Sequence, residues 1–467
     1  MKDYSKTYCN PLPIPDYPIG RLCCRNKYKC DFRELADPTV LYHEGKWYLY
    51  PSCGMAWVSE DFIHWKHFRT DPYEFGYAPT IVKHREKFYI TASSSDVRVS
   101  DSPLGPFVSI GFFRLPGGEK CENTGDPMMF SDDDGRLYLY WGCGGSIKGA
   151  ELDPDDPVQL ITEPKVLFEF DPDHVWERIG DWNEDGNYSW TEGAWMYKRG
   201  DTYYLTYSAP GTEWRTYAMG AYKSKSPLDG FEYMKTSPFL KGIHGLVKGP
   251  GHGCIVDGPN GTTWAFFTCL IGYAHEFERR IGMDPVGFDE NGDIIPRESS
   301  EIPGWAPGVL PAPEKDNDAG LIPLTNHKRI TATSYSEGRD PIYGIDDSML
   351  TWWQPAADDK SPSLTVTLSL DGGLEIRTAR IVWRDVGLDI RRGVMPGAFG
   401  YTVEALGMDD EWVTVCDRAD NTEDFAVDYF TLKPMKAKAV RLNIRKSPEG
   451  IIPGVINFTV FGFWQKD

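Results

Sequence analysis

Short alternations of apolar and polar residues, each interrupted by a charged or Asx-Gly turn, recur along the first 300 residues. In residues 36–50 an apolar run is followed by the turn at Glu44-Gly45 and then by an aromatic run that ends at Tyr50. Residues 78–90 repeat this design around Arg85 and Glu86. Two alternating runs joined by such a turn predict a β-hairpin.

Three further copies of the hairpin begin near Asp126, Glu192 and His252, so the five copies are spaced at roughly 40 to 66 residues. In each copy the aromatic strand ends in Ser, Gly or Thr. Residues 56–62 and 97–103 are predicted to supply third strands. Repeats of this length, each forming one small antiparallel sheet, predict a five-bladed β-propeller over residues 1–300.

The pattern changes after residue 300. Residues 301–327 are rich in proline and charge, which predicts a linker. Alternating strands return over residues 328–467, and their spacing predicts an antiparallel β-sandwich. The expected fold class is therefore all-β, a five-bladed propeller followed by a sandwich. The 47 glycines and 35 prolines agree with many short strands joined by turns.

The charge of the chain restricts its partners. A formal net charge of −20, without any local run of Lys and Arg, would repel a phosphate backbone. No stretch approaches the roughly eighteen apolar residues of a membrane span, and no apolar segment follows the N-terminal charges. We therefore expect a cytoplasmic protein without nucleic-acid or membrane partners, although a signal peptide upstream of this sequence would make it secreted. Monomer and homo-oligomer both remain open.

The ten cysteines lack the paired CxxC spacing of zinc sites. Free thiols are the first expectation. A disulfide within the cluster of Cys9, Cys23, Cys24 and Cys30 is the alternative.

Charged residues stand where the innermost strands of the predicted blades begin. In a propeller these positions converge on the central channel, and here they hold Asp37, Asp126, Glu192 and His252. Hydrolysis of a glycoside with inversion needs one carboxylate that deprotonates water and one carboxylic acid that protonates the leaving oxygen, roughly 6.5 to 9.5 Å apart. A third carboxylate nearby would raise the pKa of the acid. The alternative is that each Asp-Pro is a turn or cap and that His252 is a hydrogen-bonded core residue.

Taken together, the blade motifs resemble those of glycoside hydrolase family 43 over about residues 10–295. They are Ala36-Asp37-Pro38-Thr39, Tyr77-Ala78-Pro79-Thr80, Asp126-Pro127, Thr191-Glu192-Gly193-Ala194 and Gly251-His252-Gly253. The resemblance implies that Asp37 is the general base, that Glu192 is the general acid, and that Asp126 tunes and orients the acid. It also implies that His252 supports a bound calcium ion, usually through water, and that no organic cofactor is needed.

The same resemblance implies residues that bind substrate. The family places an arginine facing the pocket just before the last strand, where this chain has Arg279 and Arg280. We assign Arg280 to substrate binding, while the sequence leaves open which of the two faces inward. Tyr77 stands where the family usually has Trp, so it is expected to change the sugar subsite. Trp190, two residues before Glu192, is expected to stack on a sugar face.

The C-terminal segment resembles a discoidin-type (F5/8 type C) carbohydrate-binding module. The matching runs include residues 343–348, Thr351-Trp352-Trp353 and Val460-Phe461-Gly462. Such modules either bind glycan or only buttress a catalytic domain, and both roles remain open here.

From the family resemblance we expect an exo-acting, inverting hydrolase that removes a terminal furanose or pentose from an oligosaccharide. An α-L-arabinofuranosidase is the first expectation, and a β-xylosidase or a galactofuranosidase is the alternative within the same fold. A non-catalytic glycan-binding protein is the rival from another class. A retaining enzyme or transglycosylase would need carboxylates only about 5 to 5.5 Å apart.

Overall fold

The computed structural model describes residues 2–20, 31–52, 55–72, 75–271, 275, 277–369 and 372–464. These residues form β-strands with a few short 3-10 helices, so the predicted all-β class is confirmed. The 3-10 helices are Tyr4–Lys6, Val175–Glu177, Pro259–Gly261, Pro341–Gly344 and Ile390–Arg392. In the part of the chain that is described, no helix is long and apolar enough to cross a membrane.

The chain divides into two compact units. The propeller unit comprises Glu34–Leu270 and Arg279–Ser299, and the sandwich unit comprises Met1–Arg33, Ile271–Glu278 and Ser300–Asp467. The domain prediction had placed residues 1–33 and 271–278 in the propeller, so this division differs from it at both segments.

Buried ionic contacts explain why the N-terminal segment groups with the sandwich. The guanidinium of Arg33, with 1% of its side chain exposed, lies 2.7 Å from a carboxylate oxygen of Asp385 and 2.7 Å from one of Asp424. Arg380 donates a hydrogen bond of 2.9 Å to the carbonyl oxygen of Asn10. Groups of this polarity are buried only when they are paired, and their partners here lie far away in the sequence.

The described residues of the propeller unit form five sheets, called blades 1 to 5 in chain order. Blade 1 consists of Thr39–His43, Lys46–Tyr50, Ala56–Ser59 and Lys66–Phe68, and blade 2 consists of Thr80–His84, Lys87–Thr91, Val97–Ser100 and Val108–Gly111. Blade 3 consists of Met128–Ser131, Leu137–Trp141, Ser146–Asp153, Asp156–Leu160 and Lys165–Glu169. Blade 4 consists of Cys143–Gly144, Thr191–Arg199, Thr202–Ala209, Ala218–Ser224, Glu232–Tyr233, Leu240–Lys241 and Arg297–Glu298. Blade 5 consists of Gly251–Asp257, Thr263–Leu270 and Arg279–Val286.

The five blades close into a ring. The innermost strand of each blade contacts that of the next, and the strand of blade 5 contacts that of blade 1. Side-chain hydroxyls join neighbouring blades: Thr39 donates to the carbonyl oxygen of Pro79 at 3.0 Å, and Thr80 donates to that of Pro127 at 2.7 Å. The predicted five-bladed propeller is therefore confirmed, and the beginnings of its inner strands lie close together.

The sandwich unit packs two antiparallel sheets around an apolar core. One sheet consists of Ile322–Pro323, Ile452–Phe463, Leu374–Val386 and Val427–Ala437, and the other consists of Arg329–Ala332, Ser363–Thr367, Ala439–Lys446, Gly400–Leu406 and Trp412–Arg418. Buried residues of both sheets, among them Trp383 and Phe458, form one cluster together with Trp353. The sandwich is therefore confirmed as well.

The predicted linker is not free of strands. Gly304–Trp305 pairs with Thr7–Tyr8, and Ile322–Pro323 joins the first sheet of the sandwich. Leu321 and Leu324 are buried, so apolar side chains fix this proline-rich segment in place.

Every cysteine that the structure describes is a free thiol, as expected. Cys9, a member of the N-terminal cluster, is one of them and is buried. Cys23, Cys24 and Cys30, on which the disulfide alternative depends, lie outside the described residues.

Candidate active site

A repeated backbone conformation marks the beginning of the five inner strands. Asp37, Ala78, Asp126, Gly193 and His252 all have positive φ, between 39° and 61°. This left-handed region is uncommon for residues other than glycine and is tolerated best by Asp and Asn. Each inner strand therefore begins with a sharp turn.

Hydroxyl groups hold four of these turns in place. The backbone N–H of Asp37 donates to Thr268 Oγ1 at 2.8 Å, and that of Ala78 donates to Ser52 Oγ at 2.7 Å. The other two pairs are Asp126 with Ser93 at 2.9 Å and His252 with Ser208 at 2.7 Å. The sequence analysis missed these hydroxyls, although their signal was the Ser or Thr that ends the aromatic strand in four of the five repeats.

The turn at Gly193 has no such hydroxyl. Ser52 and Ser93 each donate their backbone N–H to the carbonyl oxygen of the residue before a turn. Gly142 donates in the same way to Gly125, so it stands in blade 3 where the other blades have a serine or threonine. A Cβ at Gly142 would lie 2.2 Å from the carbonyl oxygen of Ser146, which excludes serine. The N–H of Gly193 instead donates to Oδ2 of Asp126 at 3.3 Å, which links that carboxylate to the strand of Glu192.

Asp37 is buried and accepts hydrogen bonds from Ser52 and Arg279. Ser52 donates its hydroxyl to Oδ2, while Arg279 donates Nη1 to Oδ1 at 3.0 Å and Nη2 to Oδ2 at 3.2 Å. Burial by itself would raise the pKa of Asp37, but the charges of Arg279 and His252 outweigh it and lower the pKa below its usual value. Asp37 is therefore ionised and can accept a proton.

Glu192 has the opposite electrostatic environment. Its Oε1 accepts a hydrogen bond of 2.6 Å from the hydroxyl of Tyr217, and its Oε2 lies 3.4 Å from Sγ of Cys143. Burial, followed by the nearby charge of Asp126, raises the pKa of Glu192 to about 7. A carboxyl group with such a pKa remains partly protonated near neutral pH and can donate a proton.

His252 lies between the base and the third carboxylate. Its Nδ1 is 3.6 Å from Oδ1 of Asp37 and 3.7 Å from Oδ2 of Asp126. Burial would lower the pKa of His252, but the surrounding carboxylates raise it above its usual value. Burial also raises the pKa of Asp126, against the opposing charge of His252. The imidazolium therefore balances part of the negative charge of the three carboxylates.

The two candidate arginines make different contacts. Arg279, and not Arg280, contacts Asp37, because successive side chains of the strand Arg279–Val286 point to opposite faces. Arg280 donates its Nη1 to the carbonyl oxygen of Arg279 at 2.8 Å. Arg279 is therefore the arginine beside the base, and the assignment of Arg280 to substrate binding stays a prediction.

Glu34 belongs to the same network and was missed in the sequence. Its Oε1 lies 2.7 Å from Nη2 of Arg279, and its Oε2 accepts a hydrogen bond of 3.2 Å from Tyr77. Both Glu34 and Arg279 are buried. The available signal was an acidic residue in the largely apolar approach to the first inner strand, between Phe32 and Ala36.

Tyr77 and Trp190, which are predicted to bind substrate, lie near different carboxylates along the chain. Tyr77 is half-buried, and its contact with Glu34 places it on the side of Asp37. Trp190 is 38% exposed and precedes the strand that carries Glu192. Trp57, by contrast, is fully buried in the propeller.

The donor atoms around the carboxylates do not fit the expected calcium ion. Calcium takes six to eight oxygen ligands. His252 offers a nitrogen atom and pairs as a cation with Asp37 and Asp126. Among the described residues, the donors that lie within 4.8 Å of one another are those of Asp126, Cys143 and Glu192, which include a thiol. This acidic cluster has the spacing to hold a metal ion, but its chemistry disfavours calcium, and no reaction step below is assigned to a metal.

A comparison with known families matches the region that contains all of these residues. The sequence model described as glycosyl hydrolases family 43 matches residues 34–294, which is more than half of the 467 residues.

Curated proteins similar to parts of the chain carry related names. A xylan 1,3-β-xylosidase of Vibrio sp is 29% identical over 230 residues, which cover 45% of this chain and 36% of the relative. A β-D-galactofuranosidase of Aspergillus niger is 25% identical over a segment that covers 42% of this chain and 52% of the relative. A xylosidase/arabinosidase of Humicola insolens is 27% identical over a segment that covers 47% of this chain and 74% of the relative. The chain thus spans less than two thirds of the length of the first two.

Solved structures share the fold. A thermostable family-43 glycoside hydrolase has a TM-score of 0.52 at 23% identity and covers 65% of this chain and all of its own. A second structure, described as a glycoside hydrolase, has a TM-score of 0.50 at 20% identity and covers 91% of this chain and 97% of its own.

Proposed function

The chain belongs to glycosyl hydrolases family 43, and on that basis we propose that it is an exo-acting, inverting hydrolase that removes a terminal pentose or furanose from an oligosaccharide. One observation carries the proposal: two carboxylates of one site have oppositely shifted pKa values, with Asp37 below its usual value and Glu192 raised to about 7. This is the division of tasks that a general base and a general acid require.

In the proposed reaction, Asp37 removes a proton from a water molecule whose oxygen attacks the anomeric carbon. Glu192 donates its proton to the glycosidic oxygen as the bond between that oxygen and the anomeric carbon breaks. The products are the free sugar, with inverted configuration, and the shortened oligosaccharide. Water then returns the proton to Glu192, and Asp37 releases its proton, so the site is restored.

The remaining charged groups set the protonation states. Arg279 keeps Asp37 ionised through two hydrogen bonds, and its Nη2 also donates to Glu34, which holds the guanidinium in place. Asp126 raises the pKa of Glu192. His252 limits this effect, because its charge opposes that of Asp126.

For the sugar, α-L-arabinofuranose is our first candidate and β-D-xylose the second. The names of the relatives support a pentose, since two of those cited above are named for xyloside cleavage and one of these also for arabinoside cleavage. The relative named as a galactofuranosidase keeps a furanose of six carbons as a third candidate.

The direct experiment measures release of nitrophenol from a panel of α-L-arabinofuranosides, β-D-xylopyranosides and β-D-galactofuranosides. We expect turnover of one pentoside that is abolished in Asp37→Ala. In Glu192→Ala, turnover should recover partly on substrates with an activated leaving group, which need no proton, whereas Asp37→Ala should not recover. Silence across nitrophenyl glycosides and natural oligosaccharides would instead favour a glycan-binding protein.

The stereochemical outcome tests the mechanism separately. NMR spectra recorded within the first minutes of the reaction should show the inverted anomer before mutarotation sets in. A retained anomer would contradict the inverting mechanism while leaving glycosidase activity intact.

A further inference from the structure

Two ion pairs of the sandwich unit involve consecutive residues of one strand. In the strand Leu374–Val386, Asp385 accepts two hydrogen bonds from Arg33, at 2.7 and 3.1 Å. The preceding residue, Arg384, donates a hydrogen bond of 2.7 Å to Glu278. No more than 12% of any of these four side chains is exposed. One strand therefore holds two segments that are far apart in the sequence.

Each of these segments leads directly into the network around the general base. Glu34 is the residue that follows Arg33, and Arg279 is the residue that follows Glu278. Within the propeller unit, Glu34 and Arg279 pair with each other at 2.7 Å. The backbone adds to this pairing, since Leu35 donates its N–H to the carbonyl oxygen of Arg279 at 3.2 Å.

The six charged residues form a closed ring, which we call the charge ring. Three ion pairs alternate with three peptide bonds, and cationic side chains alternate with anionic ones. Successive Cα atoms are held about 3.8 Å apart, so a member can move only if an ion pair lengthens or its neighbours move with it. In order around the ring, the members are Arg33, Glu34, Arg279, Glu278, Arg384 and Asp385.

The charges of the ring are better suited to fixing geometry than to adding stability. Buried ion pairs contribute little net stability, because the loss of hydration offsets most of the attraction between the charges. They nevertheless define one arrangement, because separating the partners leaves a buried charge unpaired. This arrangement reaches the active site through Arg279, which donates to both carboxylate oxygens of Asp37, at 3.0 and 3.2 Å. The direction of its guanidinium therefore depends on the other members of the ring.

We propose that the four ring members of the sandwich unit are positioning residues for the general base, because they hold Arg279 where it donates to Asp37. They are Arg33, Glu278, Arg384 and Asp385. This inference rests on the proposed function. The sandwich unit thus acts on catalysis through the chain itself, independently of any binding of glycan.

The quantity on which the ring acts is the ionisation of Asp37. Burial raises the pKa of Asp37, and the charges of Arg279 and then His252 lower it below its usual value. If Arg279 is displaced, the pKa rises and a higher pH is needed to ionise the base. The other titratable groups that face Asp37 are Glu34, Asp126, Glu192, Tyr77, Tyr217 and Cys143.

The test changes a ring member in the sandwich unit and leaves every group that faces Asp37 intact. Arg384→Met removes the charge that pairs with Glu278 but keeps a long side chain, while Arg384→Lys keeps the charge. Arg418→Met is the matched control, because Arg418 also pairs from a sandwich strand with a buried carboxylate, that of Asp428, at 2.9 Å. The measurements are the melting temperature and the pH profile of kcat/KM on a nitrophenyl glycoside that the wild-type protein cleaves.

We expect Arg384→Met to move the acidic limb of this profile, which reports the ionisation of the base, to higher pH by about half a unit or more. The basic limb should stay in place, and Arg384→Lys should restore part of the acidic limb. Arg418→Met should lower the melting temperature without moving either limb. An acidic limb that stays in place in Arg384→Met, or that moves equally in Arg418→Met, would overturn the inference.

A second pair of variants covers the case in which Arg384→Met does not fold. Glu278→Gln removes the other charge of the pair and keeps the size of the side chain, and Asp428→Asn is its control. The same shift of the acidic limb is expected in Glu278→Gln alone. A shift in neither variant, or in both, would count against the charge ring.

Failure of the proposed function would be recognised separately, since the wild-type protein would then cleave no glycoside. In that case the pKa of Asp37 is measured directly by 13C NMR of labelled aspartate carboxyl groups, with Asp37→Asn identifying the resonance. A pKa of Asp37 that is higher in Arg384→Met than in the wild-type protein supports the action of the ring on this carboxylate. An unchanged pKa refutes it.

Discussion

The hydroxyl of Tyr217 donates a hydrogen bond of 2.6 Å to Oε1 of Glu192. A donor to a carboxylate stabilises its ionised form, so Tyr217 opposes the burial and the charge of Asp126 that raise the pKa of Glu192. Opposing contributions from neighbouring groups thus hold the pKa of Glu192 at about 7.

Replacement of Tyr217 by Phe is expected to shift the basic limb of the pH profile of kcat/KM to higher pH. The acid must be protonated to work, and without the donor its pKa rises, so activity persists to a higher pH. The profile should be recorded on a substrate with a poor leaving group, because such a substrate depends on the proton. A basic limb that moved to lower pH would show that Tyr217 has another role.

Asp126→Asn is expected to shift the same limb to lower pH by about one unit, because the negative charge that raises the pKa of Glu192 is lost. Asp134→Asn is the matched control, since Asp134 lies in an exposed hairpin turn of blade 3. Equal shifts in both variants would indicate a general effect of net charge rather than a local one.

Arg279→Lys is expected to lower kcat/KM at least roughly tenfold, because a lysine keeps the charge but loses the planar pair of donors that holds Asp37 and Glu34. The acidic limb should also move to higher pH, since Asp37 would lose part of the interaction that lowers its pKa. Arg280→Lys, on the opposite face of the same strand, should change kcat/KM much less. A larger loss of kcat/KM in Arg280→Lys than in Arg279→Lys would favour Arg280 as the residue that faces the pocket.

Removal of divalent ions with EDTA, followed by dialysis, is expected to leave kcat/KM and the melting temperature unchanged. The reason is that the carboxylates are balanced by Arg279 and His252 rather than by a calcium ion. Loss of activity that is restored by calcium, and not by sodium at equal ionic strength, would contradict this.

Arg33→Leu is expected to destabilise the sandwich unit by about 3 to 5 kcal/mol, because it leaves the carboxylates of Asp385 and Asp424 without their buried partner. Arg85→Ala breaks an exposed ion pair with Asp155 and should cost less than about 1 kcal/mol. Urea unfolding of the two variants makes the comparison. Equal small effects would mean that the Arg33 pairs contribute no net stability.

The sequence was sufficient to predict both folds and the positions of the charged residues, because hairpin turns and alternation are local signals. The repeat also predicted that Asp37, Asp126, Glu192 and His252 converge, since propeller closure brings equivalent positions together. It could not distinguish Arg279 from Arg280, because this depends on which face of one strand points inward. Glu34 was missed for a similar reason: its role requires a partner about 245 positions further along the chain.

The division of the chain also limits how its parts could be exchanged. Ile271–Glu278 interrupts blade 5 between two consecutive strands, yet it belongs to the sandwich unit, where Glu278 lies 2.7 Å from Arg384. The N-terminal segment is likewise held there through Arg33. The propeller unit is therefore not one continuous stretch of the chain that could be moved by itself. A gene cut after residue 300 would leave two segments without the partners against which they fold, so recombination with other modules should succeed only when both units are carried over together.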